Sequence, residues 1–189
     1  VGTALLWRSV DAVAAPPDEI AVLDEIAVLD TPDLNASDLD AGVNLLGYHR
    51  AASGLGVAVR RLHESLVAAG VPVSVFDVEL TDSPLVERAG AADTQPLWRT
   101  TIAVVTAPEL PAALAARPAL RTVDRVVGYW FWEVDRVPDG HAAGFDLVDE
   151  IWAPTTFVAE AYRQRADAPP VVHQPLHLAT PPADSATTD

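Results

Sequence analysis

Two short stretches of the chain combine residue types that can hold a ligand and act on it. In GYWFWEVDRVPDG (128–140), four consecutive aromatic residues give way abruptly to Glu133, Asp135 and Arg136. A carboxylate is seldom fully buried without a partner. An acid that closes an aromatic run therefore marks where a buried strand leaves the core, and the loops beyond strand ends are where binding groups collect. Glu133 can act there as a carboxylate at the rim of a cleft, and Trp132 beside it offers a flat face for stacking on a sugar or a base.

The second stretch is GYHRAASGLG (47–56). Gly54 and Gly56 let backbone approach a ligand closely, Ser53 can cap the helix that follows, and the amides of its first turn would point at an anion. Arg50 can pair with a phosphate or carboxylate, and His49 can contact a ligand from the same loop. The same glycines also serve a tight turn against a sheet. The loop has neither the GxxxxGK[ST] spacing of a P-loop nor the full GxGxxG of a nicotinamide site. A third stretch, APTTF (153–157), places Thr155 and Thr156 before a helix; an N-cap explains them first and a hydroxyl contact to ligand second.

The histidines give no metal site. His173 and His177 are four apart, which puts them on one side of a strand or a helix, but Pro175 interrupts the segment and no third ligand is near in sequence. His63 is expected to face solvent and His141 to line the rim of the cleft. The chain has no cysteine, which excludes zinc–thiolate and iron–sulfur sites, and no cofactor is expected. No Ser/His/Asp arrangement with a nucleophile elbow is present.

These residues need a scaffold, and the hydrophobic pattern supplies one. VNLLGY (43–48), VPVSVFDV (71–78), TTIAVVTA (100–107), RVVGYWFWE (125–133), DEIWAPT (149–155) and PVVHQPL (170–176) read as strands. Helical spacing separates most of them: Leu55, Val59, Leu62 and Leu66 up to a cap at Gly70, then 108–117, 139–147 and 156–165. Near-continuous apolar strands alternating with helices predict an α/β fold, a doubly wound, mostly parallel Rossmann-like sheet covered on both faces. In such sheets ligands bind beyond the carboxyl ends of the strands, which is where all three stretches fall.

Composition narrows the partners. The 189 residues carry 27 acidic and 12 basic side chains, a formal charge of −15. With no basic cluster larger than Arg60–Arg61, nucleic acid is excluded as a partner, whereas a single pyrophosphate can be held by backbone amides and one or two arginines. No apolar run reaches the roughly 18 residues that cross a bilayer, and no signal-peptide pattern opens the chain. The expected location is the cytoplasm, with peripheral contact at the inner membrane face. Residues 1–41 form an acidic extension in which DEIAVL occurs twice in succession, 42–178 the folded domain, and 179–189 a tail or severed linker. The 82–99 segment is expected to be a loop.

Residues 42–79 and 125–163, above all GYWFWE and DEIWAPT, resemble the amino-terminal half of bacterial family-4 (group 1) retaining glycosyltransferases of the GT-B type. The resemblance implies an acceptor-side domain of an enzyme that moves a sugar, mannose for example, from a nucleotide-sugar donor to a sugar or lipid-linked acceptor. It implies further that Gly54 and Gly56 lie near the donor phosphates; the residue patterns add Ser53 beside them, Glu133 as the catalytic carboxylate, and Arg50, His49, Trp132, Thr155 and Thr156 as substrate contacts. Many relatives have a histidine near the position of Glu133, so that histidine's role does not carry over. The donor-binding half has no counterpart here, and on this reading the chain is a truncated or split form, inactive alone or completed by a separate donor domain. A non-catalytic sugar-binding or assembly module, and a flavodoxin-like binding domain, are the alternatives.

Overall fold

The computed structural model describes residues 38–78 and 97–176. The duplicated hexapeptide, most of the 82–99 loop, His177 and the 179–189 tail lie outside the described residues. Strands and helices alternate as β1 Val43–Gly47, α1 Gly54–Ala68, β2 Val73–Asp77, β3 Thr100–Val104, α2 Leu110–Ala115, β4 Arg125–Tyr129, α3 Ala142–Phe145, β5 Glu150–Ala153, α4 Thr156–Arg163 and β6 Val171–His173. Every strand pairing is parallel, in the order β2-β1-β3-β4-β5-β6. The fold is a doubly wound, Rossmann-like α/β sheet.

The period-two alternation of side chains explains the two layers. Val43 and Leu45 of β1 meet Val59, Leu62 and Leu66 of α1 on one face. Leu46 turns to the other face, among Leu110 of α2, Phe145 of α3 and Val158 and Tyr162 of α4. Because helices cover both faces, every residue of β1 is buried, and a fully buried leucine such as Leu45 or Leu46 contributes about 1.5–3 kcal/mol. The one polar residue of β1, Asn44, is fully buried and satisfied. Its Nδ2 donates to the Trp98 carbonyl (2.8 Å) and to Thr101 Oγ1 (3.2 Å), and its Oδ1 accepts from the Trp98 amide (2.9 Å). That knot locks the start of β3 beside β1.

Helix α1 ends as its sequence requires. Gly70 takes φ +73°, the left-handed conformation that glycine adopts without steric cost. Its amide then donates to the Val67 carbonyl, and the Val71 amide to the Leu66 carbonyl (both 2.9 Å), satisfying orphaned carbonyls of the last turn.

Several expected elements are shorter. The strand over 125–133 stops at Tyr129, because β5 pairs with β4 only as far as Tyr129↔Trp152 and β3 only as far as Gly128. The helix over 108–117 is α2 followed by a 3-10 turn at Pro118–Arg121; Pro118 lacks the amide needed to carry an α-helix onward. The helix over 139–147 is a 3-10 turn, Asp139–His141, leading into the short α3. Strand β3 ends at Val104 and β6 at His173.

The strand order places the site. From β1 the chain passes through α1 to β2 on one side, while β3 lies on the other. The loops leaving β1 and β3 diverge, and a crevice opens at the carboxyl ends of the strands. No helix among the described residues is long and apolar enough to cross a membrane.

Candidate functional site

A cleft of about 450 Å³ occupies this switch point, lined by Tyr48, Ser53, Gly54 and Leu55 after β1, Thr106 and Glu109 after β3, and Phe131 and Glu133 after β4. The first turn of α1 and the acid of the aromatic stretch, 79 positions apart in sequence between Gly54 and Glu133, thus share one cavity.

The α1 wall is built by backbone. Ser53 is extended, and its Oγ accepts from the Gly56 amide (3.1 Å). The Gly54 and Leu55 amides, which no intrahelical carbonyl can take, belong to residues that line the cleft. The two glycines divide their roles. A Cβ on Gly54 would meet nothing within 4 Å, whereas one on Gly56 would sit 2.1 Å from the Ala51 carbonyl oxygen and 3.0 Å from that of Tyr48. Gly56 therefore lets α1 seat on its own loop, while Gly54 leaves the cleft open. Arg60 pins the loop from behind, its Nη1 donating to the carbonyls of His49 and Ala51 (2.9 Å each).

The β3 wall is acidic. Glu109 Oε2 accepts from the Thr106 hydroxyl (2.5 Å) and the Thr106 amide (3.2 Å), which folds the turn after β3 and presents the carboxylate. Tyr48 is buried against it. Burial first, then hydrogen bonding to Glu109 and the Glu109 charge, push the Tyr48 phenol well above its ordinary range. Tyr48 therefore stays a neutral hydroxyl at any ordinary pH.

On the β4 side the expected alternation holds beyond the end of the strand. Tyr129 and Phe131 belong to the α1-side layer and Trp130 and Trp132 to the opposite one. Phe131 is partly buried and shows a face to the cleft, and Glu133 is exposed there. The structure does not bring Trp132 to the cleft. Its ring lies edge-on to His141 at 4.5 Å, and its Nε1 donates to the Arg136 carbonyl (2.8 Å).

The other expected contacts also fall elsewhere. His49 is buried, with Nε2 3.1 Å from the Leu45 carbonyl oxygen. His63 is not solvent-facing but half-buried, its ring 6.4 Å from that of His49. Arg50 is half-buried: its amide donates to Asp77 Oδ1 (3.1 Å), and its Nε is shut off from solvent without a partner. Thr155 caps α4, its Oγ1 accepting from the Val158 amide (3.2 Å), and Thr156 opens the helix, both exposed away from the lining residues. His141 does not line the rim; it is 3% exposed, behind Trp132. His173 is exposed at the end of β6. Among the described residues no group of three metal-ligating side chains occurs.

Tyr48, Thr106, Glu109 and Phe131 were missed as site residues. Glu109 was within reach of the strand-end rule, since TAPEL follows β3 directly, but that junction carries no glycine or aromatic run to draw notice. Tyr48 and Phe131 read as core, and both are core on one side and cleft on the other. Among the described residues the lining offers two carboxylates, hydroxyls from Tyr48, Ser53 and Thr106, the first turn of α1 and an aromatic ring, and includes no Arg or His. Carboxylates and amides placed against an aromatic face suit a neutral, hydroxyl-rich ring. No family model, no curated protein and no solved structure matches the chain.

Proposed function

We propose that the domain is the acceptor-side half of a retaining GT-B-type glycosyltransferase, its cleft taking the hydroxylated ring of a sugar acceptor. The observation that carries this reading is the meeting of Glu133 with the first turn of α1 in a single cleft at the switch point. Glu133 and Glu109 would accept hydrogen bonds from ring hydroxyls, charge-assisted and therefore stronger than neutral ones, and Phe131 would meet the apolar face of the sugar. The Gly54 and Leu55 amides would face negative charge developing on the departing nucleotide diphosphate. None of the described lining residues is cationic, so on this reading the grip on the donor diphosphate comes from outside them, from a second domain or a separate chain.

The same lack of a cation among the described lining residues favours one alternative, a non-catalytic sugar-binding module. Titrating the purified chain with methyl α-mannoside, followed by amide resonances, tests the shared part of both readings: residues 54–55, 109 and 131–133 should shift. Glu133→Gln should weaken binding about tenfold, the loss of about 1.4 kcal/mol. The chain alone should not turn over UDP-glucose or GDP-mannose. Turnover without a partner, or a glycoside that shifts none of these resonances, would overturn the acceptor-side assignment. Turnover on adding a donor domain would separate the enzyme from the binding module.

A further inference from the structure

Behind Glu133 lies a buried polar pair that the proposed function does not use. Beyond Tyr129 the chain leaves the sheet, and residues 131–137 belong to no helix or strand. Their conformation is set instead by side chains. Trp132 Nε1 closes a turn by donating to the Arg136 carbonyl (2.8 Å), and Gln164 Nε2, at the end of α4, donates to the Asp135 carbonyl (3.0 Å). Glu133 sits inside that turn. The Trp132 ring is steadied by the edge-on imidazole of His141, whose Nδ1 lies 3.0 Å from the Tyr162 hydroxyl of α4. Tyr162 is fully buried, with the Trp130 and Phe145 rings at 5.6 and 6.2 Å.

We propose that His141 and Tyr162 are positioning residues for Glu133: their hydrogen-bonded pair braces Trp132, and with it the turn that presents the carboxylate, against α4. The proposal takes Glu133 as the working carboxylate of the cleft from the reading above.

Three observations converge on it. A polar pair in an apolar layer carries a desolvation cost that two aliphatic side chains would avoid; what it adds is direction, because a hydrogen bond fixes the angle of the imidazole that Trp132 leans on. The Glu133 charge reaches Tyr162, acting after burial to push its phenol up. The nearby charges are otherwise arranged outside it: Arg165, which acts on His141, is itself held by Asp139 (2.5 Å) and Asp167 (2.8 Å).

The test uses the full 189-residue chain and reads exchange of the Trp132 indole N–H, which donates to the Arg136 carbonyl, together with α1 amide exchange and the Tyr162 ring resonances. Tyr162→Phe and His141→Leu should speed indole exchange about tenfold, the protection of roughly one hydrogen bond, and leave α1 amides unchanged. His141→Asn, which keeps a hydrogen-bonding group near the Nδ1 position, should restore most of that protection, whereas a merely space-filling imidazole would be replaced as well by leucine. Glu133→Gln should shift the Tyr162 ring resonances, because the Glu133 charge acts on that phenol. Unchanged exchange, equal acceleration in α1, or Tyr162 resonances indifferent to Glu133→Gln would each overturn the proposal. Methyl α-mannoside titration of the same samples separates the two readings. If no glycoside binds while the Glu133→Gln signature persists, the sugar reading falls and the brace stands. If glycoside binds normally to Tyr162→Phe, the brace falls and the sugar reading stands.

Discussion

The two walls of the cleft are held by different means. The α1 wall is fixed mainly by neighbours in sequence: Ser53 caps the Gly56 amide, the Ala51 amide bonds the Tyr48 carbonyl, Gly56 seats against both carbonyls below it and Arg60 pins the loop, with one longer tie from the Arg50 amide to Asp77. The Glu133 wall is fixed across tens of residues, by Trp132, His141, Tyr162 and Gln164 reaching from different elements. A wall of the first kind depends little on the layer beneath it. One of the second kind holds its shape only while the layer beneath it is intact, and it can be tuned by changes far from the ligand.

Breaking the first wall should have the largest effect. Gly56→Ala places a Cβ 2.1 Å from a backbone oxygen, and α1 must lift to relieve it. Urea unfolding should show a loss of about 3 kcal/mol, the upper range for overpacking. Gly54→Ala, with open space around its Cβ, should stay within about 0.5 kcal/mol of wild type, because the helix propensity gained offsets little else. Equal losses from the two would mean that the glycines do not divide their roles as described. Trp132→Ala comes next. Removing a half-buried ring and its bond to Arg136 should cost about 2 kcal/mol, less than for a fully buried tryptophan, with the loss of order confined to 131–137. Ser53→Ala should cost about 1 kcal/mol, the usual worth of an N-cap, measurable in the same unfolding curves. A larger loss from Ser53→Ala than from Trp132→Ala would reverse the ranking of the walls.

The same contrast explains what the sequence made legible. The doubly wound sheet was readable because its strands are near-continuous apolar runs, the pattern that two-sided burial demands. Gly70 as a cap and Ser53 as an N-cap were readable because capping is local. Glu133 was placed at the cleft by a topological rule that needs only strand order. What could not be read were contacts chosen by packing. Trp132 looked like a stacking platform, and nothing within its own stretch reveals that His141, nine positions on, lies under its edge. His49 sits in the ligand loop by sequence, yet its ring turns back to the Leu45 carbonyl. Glu109 escaped notice for the converse reason, since its role comes from Tyr48 and Thr106 rather than from any motif.

The finest test of the comparison is pH, because Ser53 and Gly56 carry no titrating group and His141 does. Burial first, and then the Arg165 charge, hold the His141 imidazole below its ordinary value of 6.5. The unfolded chain takes up this proton near that value while the folded site still refuses it. As pH falls through the interval, the unfolded state binds more protons and stability drops. The contribution is whole above the unfolded value and gone once the pH passes below the folded one. Asp167, whose carboxyl the hydrogen bond from Arg165 holds below 3.8, loses its contribution only in stronger acid and does not overlap this window. Urea midpoints at pH about 7.5 and about 5.5 should therefore fall further for wild type than for His141→Asn, which has no proton to take up. Equal falls in the two proteins would mean that the imidazole is free to charge in place, and that acid does not act on the Glu133 wall through His141.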